Sequence, residues 1–489
     1  VIEVLQTISR PFVQQAVMET LKQDGQLILD VDLTGRPVSP TSTDYPGADF
    51  GWMDDEVQKG YQAAVTSLVC KRWSRLLLTW QRYAGRTLSA DCLQAAIQAV
   101  EQVLEVRPRR RVELVQQRRQ AWLTRQEQFQ AKLTANQQQQ NRLWQAVGQA
   151  KTEAQELQTE LSHLADDPAA PGAVRPYSQV AKCQRRLVAA QKRHSRAWRD
   201  LTQLQSQAAR LQQRLNQDQD QLLALDEWLA YLETDNAANP NPVTLVVRLD
   251  AGFSTGPNLT WLIEMGYCVL TKVHHQASTD SLRRRLPAQP DWRRVGKNAE
   301  AVALAQYQQH DCPYALAAMV VRYHLPGKVR YTALLYYAQT PPPALPDWFK
   351  AYNARQIIEA GIKEEKGVFT LKRHLVRSPI GMQLQEQFAL FGANLVRWAA
   401  AWVRDLLAQA NQTFRTALTQ VKTLVQVAAR TRARWVRHSL GHTLIFDEAG
   451  PFAGTVISLA GFVAVQMPLP LFNFVPLANI SPPVAQPLG

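Results

Sequence analysis

Apolar and polar positions along the first 105 residues predict short elements of mixed type. The run Gln26–Leu33 is apolar almost throughout, which predicts a strand in the centre of a sheet, covered on both faces. Around it we expect an amphipathic helix, a polar loop, two more strands and a second helix, at residues 1–24, 35–51, 61–69, 76–83 and 89–105.

A helical pattern of a different kind fills the middle of the chain. From Arg109 to Leu232 the composition is dominated by Gln, Leu, Arg and Ala, and apolar residues recur every three or four positions. That spacing predicts a coiled-coil seam. The breaker Asp166–Gly172 divides the stretch into two arms of nearly equal length, each about 80 Å long at 1.5 Å per residue. We therefore expect an antiparallel helical hairpin, closed by Asn236–Pro242.

Short elements return after the hairpin. Val243–Asp250 has the same apolar strand pattern as Gln26–Leu33, and Arg283–Lys297 is expected to be a basic loop. A further helix and three strands are expected at residues 257–265, 267–273, 314–323 and 328–338. A helix around Glu359 and basic helices to about residue 438 should follow. The apolar stretch Thr455–Met467 is too short to span about 30 Å of hydrocarbon, so we expect a buried strand or helix there.

Without the hairpin, the order of predicted elements is the order that a ribonuclease H-like sheet requires. The expected fold class is α/β, with a mixed sheet flanked by helices, a long coiled-coil insertion and a basic helical C-terminal region. The expected divisions are a first part of the core with its N-terminal helix, the hairpin, a second part with a small β insertion, and a basic helical region with an apolar tail, at residues 1–105, 106–235, 236–393 and 394–489.

The charge balance favours a polyanionic partner. The 489 residues include 55 Lys and Arg against 41 Asp and Glu, a formal net charge of +14. Nucleic acid is the first expectation and an anionic membrane surface the second. The five cysteines are scattered and form no Cys-x-x-Cys pair, which argues against a zinc ribbon or a disulfide framework and fits a reducing compartment.

Three acidic residues stand in contexts suited to phosphodiester chemistry. Asp32 and Asp250 each end an apolar strand, and Glu359 lies on a predicted helix. Two strand-end carboxylates and a helical one can hold two divalent ions close together, as in-line attack on a phosphodiester requires. Asp30 remains a competitor for Asp32, because residues two apart on a strand face the same side. An Asp that merely caps the next turn is the structural alternative for either strand acid.

The Glu359 segment carries a pattern of its own. Tyr352, Arg355, Glu359 and Lys366 fall at offsets of zero, three, seven and fourteen, which places them on one stripe of an α-helix. We expect Glu359 to ligate metal, Arg355 and Lys366 to contact phosphates, and Tyr352 to contact phosphate or a base. A solvated face with an Arg355–Glu359 surface pair is the alternative, and the neighbouring Glu364 and Glu365 are backups for Glu359.

In these motifs the chain resembles the DDE transposases of bacterial insertion sequences, in the subgroup marked by the Tyr-Arg-Glu-Lys spacing. The Asp-x-Thr context of that family is matched at Asp32-Leu33-Thr34, and its Arg-x-Asp-x-Gly-Phe context at Arg248–Phe253. The resemblance covers roughly residues 25–105 and 240–400.

The resemblance implies a DNA transposase that cuts at transposon ends and transfers the strand into target DNA. It implies Asp32, Asp250 and Glu359 as ligands of two Mg²⁺ ions, exchangeable with Mn²⁺. Its implied partner is double-stranded DNA, both element ends and target, bound by a homodimer in a bacterial cytoplasm with no membrane partner. A ribonuclease H-fold nuclease that cuts without joining and a non-catalytic coiled-coil DNA-bridging protein are the alternatives.

Further DNA contacts are expected outside these motifs. The resemblance implies Trp292, within a basic loop, as a candidate base trap, and a packing residue is the alternative. Its basic neighbours are Arg293, Arg294 and Lys297. From residue 394 to 442 there are eight Lys or Arg and one acid, and we expect a second DNA surface around Arg430, Arg432 and Arg434, with a solvated helix face as the alternative. For the hairpin a spacer or dimerisation arm is favoured over a DNA reader. Phosphate contacts by arginines near its root remain open for Arg109, Arg110, Arg111, Arg118 and Arg119.

Overall fold

The computed structural model describes residues 1–165, 178–372, 374–409, 421–430, 433–438, 441–446 and 456–458. The chain divides into two compact units. One unit comprises Val1–Arg109 together with Asn241–Gly489, and the other is Arg110–Pro240. No described helix combines the length and apolar character needed to cross a bilayer.

The first unit is a mixed α/β structure built on one large sheet. Its strands are β1 (Leu27–Pro37), β2 (Asp49–Met53), β3 (Glu56–Cys70), β4 (Ser74–Ala84), β5 (Leu245–Leu249), β6 (Cys268–Lys272), β7 (Arg293–Gly296), β8 (Ala299–Gln308), β9 (Ala315–Leu325) and β10 (Lys328–Tyr337). Its order is β2-β3-β1-β5-β6-β10-β9-β8-β7, and β4 also pairs with β3.

Strand direction changes across this sheet. β1 pairs antiparallel with β3, and β3 pairs antiparallel with β4. On its other side β1 runs parallel to β5, which runs parallel to β6. The continuous apolar runs of β1 and β5 are explained by this central position, because Leu29, Val31 and Val247 are fully buried.

Helices of the first unit cover the sheet. They are α1 (Ile2–Asp24), α2 (Ser89–Leu104), α5 (Gly256–Glu264), α6 (Gln276–Arg284), α7 (Leu345–Asn353), α8 (Gln356–Val368), α9 (Pro379–Gln409) and α10 (Val421–Arg430), where α3 and α4 belong to the second unit. One core cluster packs Ile358 and Ile362 of α8 and Ala393 of α9 against Val65 and Trp80 of the sheet. This cluster fixes α8 beside β3 and β4.

The second unit is a pair of long helices, α3 (Val112–Ala165) and α4 (Gln179–Ala237). They run antiparallel, because Glu153 of α3 pairs with Arg193 of α4 while the earlier Arg125 pairs with the later Asp218. The seam buries residues at intervals of three, four and sums of these, among them Cys183, Leu187, Ala190, Leu201 and Leu215. The breaker 166–172 lies outside the described residues.

Several predicted element boundaries are wrong. The expected polar loop 35–51 is strand at both ends, because β1 continues to Pro37 and β2 begins at Asp49. The expected basic loop 283–297 contains β7, and β8 directly follows it. The strands expected as a small insertion instead extend the main sheet, because β10 pairs with β6.

The sequence predicts a helical C-terminal region, but part of this region forms strands. Beyond α10 a small antiparallel sheet is formed by β11 (Ala433–His438), β12 (Gly441–Phe446) and β13 (Val456–Ser458). The charge of this segment suggests a basic helix, but its aromatic and β-branched residues, among them Trp435, Val436, Thr443, Ile445 and Phe446, suit strands. Within the apolar stretch Thr455–Met467, residues 456–458 form β13 and residues 459–467 lie outside the described residues.

Candidate active site

Strand register brings Asp32 and Asp250 to the same edge of the sheet. In the parallel pair β1/β5, Asp30 lies opposite Arg248 and Val31 lies opposite Leu249. One residue further along each strand stand Asp32 and Asp250, so neighbouring parallel strands present both carboxylates at one place. A single 3₁₀ turn, Ala251–Phe253, follows Asp250 and ends β5 there.

Arg355 is the group on which the three predicted acids converge. Its Nη2 donates a 2.8 Å hydrogen bond to Oε1 of Glu359, in the first turn of α8. Nη2 also lies 3.5 Å from Oδ1 of Asp250, and Nη1 lies 3.7 Å from Oδ2 of Asp32. Residues far apart in sequence thus surround one guanidinium group.

The electrostatics of the cluster differ from one carboxyl to the next. The Asp32 side chain is only 16% exposed, whereas those of Asp250 and Glu359 are 48% and 46% exposed. Burial raises the pKa of Asp32 to about 7, with a further raising effect from Asp250 and Glu359 and an opposing effect from Arg355. A site that resists holding three negative charges is suited to binding a cation.

Asp30, the competitor of Asp32, has a structural partner instead. Its two oxygens accept hydrogen bonds of 2.6 and 2.7 Å from Nε and Nη2 of Arg248. Both side chains are almost fully buried, and Arg248 also donates to the carbonyl of Ala351 at the end of α7. A bidentate, buried pair of this kind engages both oxygens of Asp30 with Arg248. The structure therefore favours Asp32 as the site residue.

The backups for Glu359 are also engaged elsewhere. Oε1 of Glu365, a fully buried residue, accepts a 2.6 Å hydrogen bond from Arg397 of α9. Glu364 accepts from Arg397 at 2.8 Å and from Arg75 of β4 at 3.1 Å. Arg75 also donates to the carbonyl of Ile357 in α8. This network attaches α8 to β4 and α9, so Glu364 and Glu365 orient the helix that carries Glu359.

The prediction of one helical stripe is wrong. Tyr352 lies in α7, whereas Glu359 and Lys366 lie in α8, and the chain turns at Ala354 and Arg355 between the two helices. This break turns the guanidinium of Arg355, 7% exposed, toward the carboxylates and away from solvent. Tyr352, 9% exposed, packs in an apolar cluster with Trp348, and burial raises the pKa of its phenol. The expected phosphate or base contact at Tyr352 has little exposed surface to support it.

Lys366 faces the sheet. Its Nζ donates a 2.6 Å hydrogen bond to the carbonyl of Gly35 in β1 and lies 4.0 Å from Asp54, in the β2–β3 turn. Burial lowers the pKa of Lys366, partly offset by Asp54. The ammonium group connects α8 to the strand that carries Asp32. Sequence reasoning missed Asp54, and no spacing signal marks it.

A divalent ion fits the donor set of this cluster. Carboxylate oxygens are the ligands that Mg²⁺ prefers, and Asp32, Asp250 and Glu359 already share one cationic partner. Within the part of the chain that the structure describes, no three Asp, Glu, His or Cys side chains stand as a ready-made metal cage. The three carboxylates do not meet as a cage because the guanidinium of Arg355 lies among them.

Trp292 and the basic residues around it mostly contact neighbouring residues of the chain. The guanidinium of Arg322 lies over the Trp292 ring, 4.1 Å from its centroid, and Tyr331 is the next aromatic ring. Arg293 pairs with Asp291 at 3.0 Å in an exposed position. Arg294 donates to two carbonyls, and Lys297 is exposed. The packing alternative for Trp292 therefore has direct contacts in its favour.

The remaining basic candidates are distributed over two regions. Arg434 is exposed on β11 and Arg430 ends α10, while Arg432 lies outside the described residues. At the root of the hairpin, Arg110 is buried against Asp235 and Arg119 pairs with Asp226. These two root arginines serve ion pairs within the hairpin.

Comparison with known proteins adds no identification: no family model matches this chain, and no curated protein is significantly similar to it.

Proposed function

We propose that this chain is a DNA transposase of the DDE type, acting by metal-dependent phosphoryl transfer at transposon ends and joining them to target DNA. The observation that carries the proposal is the convergence of Asp32, Asp250 and Glu359 on Arg355. These acids match the sequence motifs, and Asp32 lies in β1, Asp250 directly follows β5 and Glu359 lies in α8. A chance set of surface acids would have no reason to share one partner.

The sheet supports the same proposal. The segment β4-β3-β1-β5-β6, with its antiparallel first half and parallel second half, has the strand order of a ribonuclease H-like core. In that arrangement the first acid lies on the central strand and the second on the adjacent parallel strand. The net charge of +14 is consistent with a DNA substrate.

The residues of the chain have distinct parts in the proposed chemistry. Asp32, Asp250 and Glu359 would hold the Mg²⁺ ions, which supply Lewis-acid activation of the attacking hydroxyl and stabilisation of the leaving 3′ oxygen. Arg355 partly compensates the charge of the three carboxylates and keeps them close together. Lys366 and Arg75 hold α8 against β1 and β4, which positions Glu359.

A cleavage and joining assay tests the proposal. The substrate is a labelled duplex carrying the inverted repeats that flank the coding region, with plasmid as target. Wild-type protein with Mg²⁺ should give nicked ends and label joined to plasmid, and Asp250→Asn should give neither while still binding the duplex. Asp220→Asn, at an exposed position of α4, is the matched control and should retain both products.

Three outcomes would change the proposal. Nicks without joined label would indicate a nuclease of the same fold. Unchanged processing by Asp250→Asn would end the catalytic assignment of the cluster. Binding without any processing by the wild-type protein would favour a non-catalytic DNA-bridging role.

A further inference from the structure

Charge is distributed unevenly along α4. Its residues 182–214 include nine Lys or Arg and one acid, Asp200, whereas residues 215–237 include six acids and no Lys or Arg. The acidic part is matched within the hairpin, since Asp218 and Asp226 pair with Arg125 and Arg119 of α3. The basic part has an excess that α3 does not match.

Five of the basic residues form a single stripe on α4. From the first of them the others follow at 4, 7, 18 and 22 positions, which at 3.6 residues per turn keeps all five within about 60° of one another. We call this set the α4 stripe: Lys192, Arg196, Arg199, Arg210 and Arg214. All five are exposed. The buried seam residues Ala190 and Leu201 lie on the opposite side of the helix.

The α4 stripe is not used for ion pairing within the hairpin. Among the described residues, no carboxylate lies within salt-bridge distance of any of the five, in contrast to Arg193, which pairs with Glu153 just off the stripe. Lys192, Arg196 and Arg199 follow one another at four and three residues, a spacing at which like charges repel along a helix. Repulsion of this kind disfavours the isolated helix and is relieved by a polyanion.

The dimensions of the stripe suit duplex DNA. At 1.5 Å per residue its ends are about 33 Å apart, close to the length of one turn of B-DNA, about 34 Å. Between Arg199 and Arg210 the same surface carries a shallow groove lined by Thr202, Gln203, Ser206 and Gln207. The Thr202 hydroxyl donates to the carbonyl of Trp198, and the other three side chains offer hydrogen-bond donors to phosphate oxygens. Flexible cations and small polar groups contact the phosphate backbone without reading bases.

We propose that the α4 stripe is a sequence-independent binding surface for the phosphate backbone of duplex DNA. This assignment replaces the role of spacer or dimerisation arm that the sequence favours for the hairpin. It does not depend on the chemistry of the carboxylate cluster, because backbone binding needs neither metal nor cleavage.

The test measures the salt dependence of binding to a duplex of unrelated sequence, in EDTA, with the full-length chain. Replacing all five stripe residues by Gln should reduce the slope of log Kd against log salt by about 4 to 5, at about 0.9 per phosphate contact. The double variant Arg196→Gln/Arg199→Gln should reduce it by about 2. The matched control, Arg142→Gln/Lys151→Gln on exposed positions of α3, should change the slope by less than about 1.

Two further measurements keep the result decisive. Far-UV circular dichroism should show the helical content of each variant unchanged, and changing the four stripe arginines to Lys should retain the wild-type slope. A wild-type slope in the double variant would overturn the proposal, whether or not the five-residue variant folds. So would a five-residue variant that loses self-association in sedimentation but keeps its slope, because the stripe would then be a contact between copies. Either failure would leave the Asp250→Asn experiment unaffected.

Discussion

Nη2 of Arg355 donates a 2.8 Å hydrogen bond to Oε1 of Glu359, four residues later in the chain. Nη2 also lies 3.5 Å from Asp250, a residue more than a hundred positions earlier. An Arg–Glu pair at this spacing is commonly a surface feature. Here the guanidinium is buried and shared with strand acids, so Arg355 acts as the internal counter-ion of the cluster.

The counter-ion role predicts how Arg355→Gln should respond to divalent ions. Without the guanidinium the three carboxylates repel one another, and we expect the free energy of unfolding in EDTA to fall by about 1–3 kcal/mol. This loss is smaller than that for a fully buried ion pair because two of the acids are half exposed. Mg²⁺ should then raise the melting temperature more in Arg355→Gln than in the wild-type protein. Scanning calorimetry with and without Mg²⁺ measures both effects.

Arg293→Gln is the control for this experiment. It removes an exposed arginine paired with Asp291, far in sequence from the cluster, and should show the wild-type response to Mg²⁺. An Mg²⁺ response in Arg355→Gln no larger than that of the wild type would contradict a shared cation site.

The two aspartates of β1 should respond in opposite ways to the same substitution. Asp30→Asn leaves the charge of Arg248 buried without its partner, and we expect a loss of about 3–5 kcal/mol in the free energy of unfolding. Asp32→Asn removes one of three neighbouring negative charges, so stability should be kept or increased. Denaturant titrations at neutral pH measure both, and equal losses would remove the distinction between structural and site aspartate.

Residue pairing explains why the sequence alone left Asp30 and Asp32 unresolved. Side chains two apart on a strand share a face, so alternation could not choose between them. The missing fact was the register of β1 against β5, which places Arg248 opposite Asp30. In the sequence, the Arg-x-Asp spacing of Arg248 and Asp250, together with the Asp-x-Asp spacing of β1, is the signal that indicates this pairing of Arg248 with Asp30.

Other parts of the fold show the same division between local pattern and tertiary context. The pattern of apolar residues along the sequence predicts β1 and β5, and it also predicts the seam between α3 and α4. The break between α7 and α8 was not, because only Asn353, a weak helix former, marks it. Tertiary contacts decide that turn, since Arg355 faces the carboxylates only if the helix stops before it.

The glutamates of α8 provide a second contrast between structural and site carboxylates. Glu365→Gln removes the more buried of the two carboxylate charges that compensate Arg397 and Arg75, and Glu364 remains paired with both. We expect the free energy of unfolding to fall by about 2–3 kcal/mol. Glu359 is about half exposed, so Glu359→Gln should change stability by less than about 1 kcal/mol. Thermal unfolding of both variants in EDTA compares them. A larger loss for Glu359→Gln would contradict the assignment of Glu365 as one of the two residues that orient α8.

His374 predicts a dependence of stability on pH. The ring lies 5.3 Å from that of Tyr61 and 5.7 Å from that of Tyr45, measured between centroids. Burial lowers the pKa of His374 to about 4, and the positive charges of Arg36 and Arg82 act in the same direction. The imidazole is therefore neutral in the folded protein at pH values where the unfolded chain, with a pKa near 6.5, is partly protonated.

The sign follows from proton binding. As the pH falls from about 6.5 to about 4, the unfolded state gains a proton that the folded state does not, so the stability of the folded state decreases across that window. The full effect between pH 7 and 5 is about 2 kcal/mol for a fully buried group, and about 1 kcal/mol is expected here because His374 is only partly buried.

His374→Gln lacks this titration. The difference in unfolding free energy between wild type and His374→Gln should therefore shift in favour of the variant by about that amount when the pH is lowered to 5. Other titrating groups cancel in the difference, so a value independent of pH, or one that shifts in favour of the wild type, would show that His374 is protonated within the fold.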